Sequence, residues 1–464
     1  MAVIESMQAD ALREQIRGEV IAEADAAYDE SRRVWNGVID KRPALVVRCS
    51  GNADVIAAVA FARERGLPVS VRGGGHNVAG TAVCEGGVVL DLGAMRNVFV
   101  DVDRRTVRAG GGARLGDVDH ETQAFALATP FGVVSRTGIA GLTLHGGMGF
   151  LTRRLGLTCD NLLAADVVTA DGRLLHADAD RHPDLLWALR GGGGNFGAVT
   201  SFEYQLHPVG PEVFMAITFY PVEAGTDGLR VFREVMAQAP DELMGVALYW
   251  TAPAEEPFPP EWHGKPVFIL AGCWSGPLDQ AEEAVKPFRE VATPVADLSG
   301  PMPFLVAQQL FDPEYPDGRR YYWKSIYLSD VGDAEAKLVG RYAATRPSAL
   351  SSIDVWAFGG AMRNEPAGGS AFAKRDAPFL LGVESNWENA ADDEANIAWT
   401  RELIDEASAL SPGGTYLNFP GFVEEGEQLL RDTYGANYER LQKVKAEYDP
   451  DNVFRSNLNN PVTR

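Results

Sequence analysis

The stretch Arg72-Gly73-Gly74-Gly75-His76-Asn77 lies between a short β-branched run and a second glycine-rich segment, and it is the most informative part of the chain. Three consecutive glycines lack Cβ atoms, so the backbone can take left-handed conformations and approach a ligand closely. The amide N–H groups of such a turn can point toward an anion such as a pyrophosphate. We expect Arg72 to add a positive charge there. The stretch therefore predicts an anion-binding turn with a histidine at its edge.

A second glycine-rich stretch, Thr137-Gly138-Ile139-Ala140-Gly141, is followed closely by Gly146-Gly147-Met148-Gly149. Either stretch alone is equally well explained as a tight turn in a β-rich domain. Two such loops in one domain can hold the two ends of a long dinucleotide, because both bring backbone amides close to the ligand. Their order along the chain favours dinucleotide binding.

A third run, Gly192-Gly193-Gly194-Asn195-Phe196-Gly197, satisfies the G-x-G-x-x-G pattern of nicotinamide-binding folds. That fingerprint must follow a strand and open a helix. Here the run follows the predicted helix Pro183–Leu189 and opens the predicted strand Ala198–Leu206. The context therefore argues against a Rossmann-type dinucleotide site.

Charge and composition exclude several classes of protein. The 464 residues include 42 Lys+Arg and 64 Asp+Glu, a net charge of −22 that repels nucleic acid and anionic lipid surfaces. No stretch reaches the roughly 18 apolar residues of a membrane span. Cys49, Cys84, Cys159 and Cys273 are scattered without CxxC spacing, so we expect reduced thiols and a cytoplasmic protein. No HExxH motif or other ligand spacing predicts a metal.

Four zones follow one another along the chain. Residues 1–36 show two short helical patterns, the second over Ala22–Trp35, and residues 37–208 are rich in glycine and short β-branched runs. Residues 209–411 alternate longer strands with helices, which predicts an antiparallel sheet covered on one face by helices. Residues 412–464 return as a tail. The helices of the third zone are expected near 224–237, 279–291, 333–346 and 396–409. The predicted fold class is α+β with two domains.

Five ordered motifs, from about residue 42 to the end of the chain, resemble one family. They are RGGGHNVAG (72–80), TGIAGLTLHGGMGFL (137–151), GLTCDNLLAADVVTADG (156–172), DLLWALRGGGGNFGAVT (184–200) and RLQKVKAEYDPDNVFRSNLNN (440–460). Together they resemble the berberine bridge enzyme-like branch of the vanillyl-alcohol oxidase superfamily. The resemblance implies a PCMH-type FAD-binding domain over 37–208, a substrate domain over 209–411 and a berberine bridge enzyme-like segment over 412–464 that returns to the FAD domain.

The resemblance implies FAD as the cofactor, joined to His76 by an 8α-histidyl bond. Many relatives carry a second link from a cysteine four residues before the glycine that corresponds to Gly138. That position is Val134 here, which implies a single link. The resemblance also implies cofactor contacts from Arg72, Gly73, Gly74, Gly75, Asn77, Thr137, Gly138, Gly141, Gly146, Gly147, Asn161, Val199, Asn418, Asn457 and Asn459.

The catalytic base is not where the family pattern places it. Relatives carry Tyr-x-Asn-Tyr with the second tyrosine as base, whereas this chain has Tyr416-Leu417-Asn418-Phe419. Phe419 has no ionisable group, so that base is missing. Tyr416 stays a candidate without being an assured replacement. His145 replaces a glycine of the relatives and is equally compatible with the flavin environment or a supporting role.

Asp354 is the alternative base. The period of two puts Asp354, Trp356 and Phe358 on one face of a predicted strand, where burial among aromatic rings would raise the carboxyl pKa. In polyketide-tailoring relatives an acidic residue stands five positions before Gly-Gly-Ala, as Asp354 does here, and Tyr249 matches an active-site tyrosine. A solvent-facing carboxylate at a strand end is the competing interpretation of Asp354.

The resemblance implies hydride transfer from a substrate C–H to FAD, followed by reoxidation with O₂ to give H₂O₂. We expect a small-molecule substrate, a largely neutral or aromatic alcohol, amine or polyketide-like metabolite. Two alternatives stay open, a dehydrogenase that passes electrons to another acceptor and a flavin-binding protein without redox turnover. The sequence leaves the oligomeric state open, with a homodimer as one possibility.

Overall fold

The chain up to Pro208 forms two small sheets that pack against each other and a separate two-stranded pairing of Leu127–Ala128 with His207–Pro208. In the computed structural model, which describes residues 6–456 and 458, the elements are α1 (Ser6–Arg13), β1 (Glu19–Ala22), α2 (Tyr28–Ser31), β2 (Leu45–Arg48), α3 (Asn52–Glu64), β3 (Val69–Arg72), β4 (Val88–Asp91), β5 (Val98–Asp101), β6 (Thr106–Gly110), α4 (Leu115–Gln123), β7 (Leu127–Ala128), α5 (Ile139–Leu144), α6 (Thr152–Leu155), β8 (Leu162–Val168), β9 (Leu174–Ala177), α7 (Pro183–Leu189), β10 (Ala198–Gln205) and β11 (His207–Pro208).

The first sheet has the strand order β1-β2-β4-β3. Strands β2, β3 and β4 are parallel, and α3 makes the crossover between β2 and β3. Leu45, Val46 and Val47 are all completely buried, as expected for a strand covered on both faces. The glycine turn follows directly after β3, so the parallel sheet fixes where the turn begins.

The second sheet is antiparallel, with the order β5-β6-β10-β8-β9. Its apolar face packs against α7 and against the C-terminal helices α13 (Glu427–Tyr434) and α14 (Tyr438–Tyr448). The run Gly191–Gly197 connects α7 to β10, as predicted, and the context of a Rossmann fingerprint is therefore absent from these residues. We call the two small sheets with α13 and α14 the glycine-rich unit.

The rest of the chain forms one large antiparallel sheet, the large-sheet unit. Its elements are β12 (Glu212–Pro221), α8 (Gly225–Gln238), β13 (Leu243–Thr251), β14 (Pro266–Trp274), α9 (Ala281–Arg289), β15 (Ala296–Asp297), β16 (Gly300–Pro303), α10 (Phe304–Ala307), β17 (Arg320–Leu328), α11 (Asp333–Ala343), β18 (Ser352–Ala357), β19 (Phe379–Trp387) and α12 (Asp393–Ala407). The order is β15-β12-β14-β13-β18-β19-β17, and β16 also pairs with β12.

The two faces of the large sheet bury different residues. Ile353, Val355 and Ala357 of β18 pack against α8, α11 and α12 on one face. Trp356 and Phe358 belong to a cluster on the opposite face. That cluster also contains Met148 of the glycine-rich unit and Tyr416 of the C-terminal tail. The alternation of side chains therefore directs the even-numbered residues of β18 toward the glycine-rich unit.

The structure confirms the main elements and corrects one of them. The four helices of the third zone are present, as is the antiparallel sheet that they cover on one face. The predicted helix Ala22–Trp35 is wrong. Ala22 is the last residue of strand β1, which pairs with β2, and within the predicted range only Tyr28–Ser31 is helical. All four cysteines are buried and free, and no helix within the described ranges could cross a membrane.

Candidate active site

A cleft with a cavity volume of about 190 Å³ separates the glycine-rich unit from the large sheet. The loops around Gly74 and Gly138 line one side. The large sheet lines the other through Leu248, Trp323, Asp354, Trp356 and Glu384.

The two glycine loops touch each other through their backbones. A Cβ atom on Gly74 would lie 2.3 Å from the nitrogen of Gly138, and one on Gly138 would lie 2.3 Å from the nitrogen of Gly74. Gly75 has a φ of +71°, which side chains rarely permit. The glycines at these positions are therefore required by the close approach of the loops, which leaves bare backbone facing the cleft.

His76 is held in a defined orientation at the edge of this cradle. The Trp35 ring stacks on its imidazole with 4.9 Å between centroids and 13° between planes, and Thr137 Oγ1 lies 3.5 Å from its Nδ1. Burial, together with the charges of Arg114 and Arg136, lowers the pKa of His76 to about 3. The imidazole is therefore neutral at physiological pH and has a lone pair available for bonding.

Arg72 does not supply the positive charge predicted for the turn. Its guanidinium donates to Asp91 Oδ2 at 2.7 Å and to the carbonyl of Arg33 at 3.1 Å, and the residue is buried. Asp91 therefore compensates this charge within the protein. The positive charges that act on the pKa of His76 are those of Arg114 and Arg136, and Arg136 itself pairs with Asp317.

Tyr416 and Asn418 reach the cleft from the C-terminal tail. The Tyr416 hydroxyl oxygen accepts from Gly147 N–H at 3.1 Å and Met148 N–H at 3.0 Å, and Asn418 Nδ2 donates to it at 2.9 Å. The backbones of Gly147 and Met148 thus hold Tyr416, and Gly146 and Gly147 do not line the described cleft. Burial raises the pKa of Tyr416, and its crowded oxygen argues against a role as the base.

The large sheet contributes a pair of buried carboxyl groups. Asp354 and Glu384 stand diagonally on β18 and β19, are 3% and 4% exposed, and hydrogen-bond to each other. Tyr315 Oη donates to Glu384 Oε2 at 2.7 Å. Burial raises the pKa of Asp354 to about 7, and burial plus the negative charge of Asp354 raises the pKa of Glu384. Such a pair holds one proton in common near neutral pH.

Two buried polar atoms of cleft-lining residues lack hydrogen-bond partners in the described part of the chain. They are Asp354 Oδ1, an acceptor when ionised, and Trp356 Nε1, a donor. Both belong to residues of β18 that line the cleft. A buried polar atom without a partner is costly, so these two atoms mark where a polar group of a ligand would bind.

Two predicted site residues lie elsewhere. Tyr249 is on the helix-covered face of β13, where its ring packs against Phe268 and below Gly225, so its predicted place in the active site is wrong. It alternates with Leu248, which does line the cleft. Asn161 donates to the carbonyls of Leu155 and Leu157 and contacts His207, so it supports a turn rather than the cleft.

The remaining predicted contacts divide into three groups. Asn77, Gly141 and Val199 line the cleft, as does Val134 at the position of the second covalent link in relatives. Cys159 is completely buried below Gly146 and does not line the described cleft. Asn457 and Asn459 lie outside the described residues.

Sequence reasoning missed Glu384 and Trp35. Asp354 pairs with Gly382 across β18 and β19, and the period of two along β19 puts Glu384 on the same face as Asp354. Trp35 carries no such signal, because it comes from a segment that seemed helical and reaches His76 only through tertiary packing.

The residues present fit FAD. The glycine cradle, with Arg114 and Arg136 near it, suits a pyrophosphate, and the neutral imidazole of His76 stands beside it. The aromatic side chains and carboxyl pair of the large sheet leave a mostly apolar space for a ring system and a small substrate. The described residues contain no group of His, Cys, Asp and Glu that could hold a metal ion.

Comparisons with known proteins agree with this geometry. Residues 43–178 match the family model described as FAD binding domain, and residues 415–461 match the one described as berberine and berberine like. The chain is 33% identical to (R)-6-hydroxynicotine oxidase of Paenarthrobacter nicotinovorans, covering 96% of each chain, and 30% identical to an FAD-linked oxidoreductase of Dictyostelium discoideum, covering 96% and 95%. The crystal structure of 6-hydroxy-D-nicotine oxidase from Arthrobacter nicotinovorans superposes with a TM-score of 0.86 at 29% identity, covering 96% and 98%.

Proposed function

This chain belongs to the FAD-linked oxidoreductases with a berberine-like C-terminal segment, and from that premise we propose that it is an oxidase with a single covalent FAD. Its substrate would be a small alcohol, amine or polyketide-like compound and its electron acceptor O₂, which becomes H₂O₂. The observation that carries the proposal is the buried carboxyl pair Asp354–Glu384 in the same cleft as the neutral His76.

Residues 37–208 and 412–464 would hold the cofactor in this proposal. The loops around Gly74 and Gly138 would contact the pyrophosphate, and His76 would form the covalent bond. Val134 cannot form a second bond, since valine has no nucleophilic atom. Bound FAD would supply a two-electron acceptor for hydride, chemistry that no side chain of the protein can perform. Four free, buried cysteines agree with a reducing compartment, and we place the protein in the cytoplasm.

Asp354 would act as the general base. In its ionised form Oδ1 accepts the proton of a substrate O–H or N–H while the neighbouring C–H hydrogen leaves as hydride. Glu384 would hold the proton of the pair before the transfer, which leaves Asp354 ionised; after the transfer both carboxyl groups are protonated until one proton leaves. Tyr315 fixes Glu384 by its hydrogen bond at 2.7 Å. Phe419, in place of the usual tyrosine, leaves this role to the carboxyl pair.

The cleft also limits the kind of substrate. Of the described residues that line it, none is Lys or Arg, and the carboxyl pair, which shares one proton, is the only source of formal charge near neutral pH. Trp323, Trp356 and Phe419 present aromatic surface. An anionic substrate would find no counter-ion, whereas a neutral or cationic aromatic compound would find stacking surface and an acceptor.

Anaerobic mixing followed by exposure to air tests the function. The purified protein with its flavin would be mixed with a panel of alcohols, amines and phenols while the visible flavin absorbance is followed. We expect bleaching with at least one neutral or cationic compound and rapid return of the colour with H₂O₂ in air. Bleaching with slow recovery in air would identify a dehydrogenase instead. Absence of bleaching with every compound class would contradict the proposed chemistry.

A further inference from the structure

His145 lines not only the cleft but also a second, smaller cavity of about 10 Å³. This cavity lies where the tail and the loop after β18 meet the glycine-rich unit. Tyr327 of β17 and Tyr434 of α13 line it together with His145. The other lining residues are Gly191, Phe372, Ala373, Lys374, Thr415, Leu417 and Thr433.

Three polar atoms of the cavity lining lack hydrogen-bond partners within the described residues. They are His145 Nε2, Tyr327 Oη and Tyr434 Oη, and their residues are 6%, 0% and 1% exposed. Each buried polar atom without a partner carries a desolvation cost, and folded proteins contain few of them. Three around one cavity therefore indicate a bound polar molecule.

Water fits the cavity in size and in hydrogen bonding. A volume of about 10 Å³ is near the ~10–15 Å³ that one water needs on this measure, and a buried water typically makes about three hydrogen bonds. His145 Nδ1 lies 3.0 Å from the carbonyl of Gly141 and must carry the hydrogen, so Nε2 is an acceptor. A water can donate to this nitrogen while it bonds to both tyrosine hydroxyls.

Two residues that lie at the protein surface also line the cavity, since Ala373 is exposed and Lys374 is partly exposed. His145 thus stands between the cleft on one side and, on the other, a polar cavity whose lining includes surface residues.

We propose that the cavity holds an ordered water bound by His145, Tyr327 and Tyr434, and that this group passes protons between the cleft and the surface near Lys374. The water site stands on the cavity alone, while the proton path rests on the proposed oxidase function.

In the proposed chemistry such a path would carry the protons that the two half-reactions release and take up. Oxidation of an alcohol or amine by O₂ breaks one C–H bond and one O–H or N–H bond, and both hydrogens end in H₂O₂. One leaves the substrate as hydride, and the other is first taken as a proton by Asp354. The buried carboxyl pair must release that proton, and reduction of O₂ must take one up. His145, able to bind a proton at Nε2 and to release it, links the cleft with solvent for this exchange.

The water site is tested without any turnover. A high-resolution crystal structure of the flavin-loaded protein should show one water within hydrogen-bond distance of His145 Nε2 and both tyrosine hydroxyls. Tyr434→Phe and Tyr327→Phe should each lower the Tm, by about 1–2 °C, because a satisfied hydrogen bond is lost. Tyr28→Phe calibrates that loss, since the Tyr28 hydroxyl donates to the carbonyl of Pro43 at 2.6 Å. An empty cavity, or a Tm that is unchanged or higher in both cavity variants, would overturn the water site.

The proton path is tested by chemical rescue. His145→Gly should slow aerobic turnover about tenfold or more, and added imidazole, but not an equal concentration of sodium chloride, should restore it. The exposed His120 serves as control, and His120→Ala should show neither effect. Turnover of His145→Gly at the original rate, or a deficit that imidazole leaves unchanged, would refute the path. If the unaltered protein produces no H₂O₂, the oxidase proposal fails with the path, while the crystal structure and Tm still decide the water site.

Discussion

Asp354 is the side chain on which the proposed chemistry depends most. Asp354→Asn keeps its shape but cannot accept a proton, so reduction of bound flavin by substrate should slow by roughly 10²–10⁴-fold with flavin content unchanged. Anaerobic stopped-flow absorbance measures both. In the unaltered protein this rate should rise with pH through about 7, because only the ionised carboxyl accepts the proton. Flavin reduction in Asp354→Asn at the original rate would exclude it as the base.

Trp35 should orient His76 for covalent attachment. Its ring stacks on the imidazole, its N–H donates to the carbonyl of Gly75, and its indole N–H donates to the carbonyl of Tyr315. Trp35→Leu removes the stacking and should slow flavin attachment by up to about tenfold, the rate equivalent of one aromatic contact. Trp35→Phe keeps an aromatic ring beside His76 and should retain most of the rate of flavin attachment. The ratio of acid-precipitated to total flavin over time gives the result, and equal rates in all three proteins would contradict this role.

At the scale of elements, Asp119 joins α4 to the segment after α10. It is 2% exposed, accepts from Gln308 Nε2 at 3.2 Å, and burial raises its pKa to about 7. Because the folded state holds this proton between about pH 4 and 7 while the unfolded state releases it, the unfolding free energy falls as pH rises through that window. Asp119→Asn should remove this pH dependence and stabilise the protein at pH 8 by roughly 1–4 kcal/mol. Denaturant unfolding of both proteins at pH 5 and pH 8 measures this free energy. A variant that is less stable than the unaltered protein at pH 8 would contradict the prediction.

Lys445 and Asp449 form an ion pair that connects α14 to the residues that follow it, Val453 and Phe454. Both side chains of the pair are completely buried, with 2.5 Å between Nζ and Oδ2, and Lys445 also donates to the carbonyls of Asn195 and Phe454. Lys445→Met leaves the Asp449 carboxylate without its counter-ion, which should cost about 3–5 kcal/mol of unfolding free energy. Lys443→Met, at an exposed position two residues earlier, is the control. A loss no larger than that of the control would show that the ion pair is not needed.

Helices, strands and strand faces could be predicted from the sequence where the pattern of neighbouring residues determines them. The period of two on β18 placed Asp354 and Trp356 correctly, and the context of Gly191–Gly197 was read correctly from α7 and β10. The predicted place of Tyr249 in the active site was wrong because a motif match does not determine which face of a strand a residue occupies. A shift of one position along the strand moves a side chain to the opposite face. The positive charge predicted for Arg72 at the glycine turn was wrong because Arg72 pairs with Asp91, which belongs to the neighbouring parallel strand. Such long-range pairings leave no mark on the local pattern.

At the scale of the whole molecule, the net charge of −22 and the acidic cleft act in the same direction. A carboxylate-bearing substrate is repelled by the protein's field and finds no Lys or Arg among the described residues of the cleft. We therefore expect at least about tenfold weaker binding of 4-carboxybenzyl alcohol than of benzyl alcohol, or of any active substrate's acid analogue. Added salt should narrow the difference. Titration of the flavin spectrum measures both, and tighter binding of the acid would contradict the charge argument.

The central claim is that one FAD is covalently held by His76 in the cleft. Denaturing the protein in acid and detergent, followed by flavin fluorescence and mass spectrometry of the peptides, tests it most directly. We predict fluorescence that stays with the chain, one flavin mass on the peptide containing His76, and its loss in His76→Ala. Release of all flavin into the supernatant, or a flavin attached to any other residue, would contradict the claim.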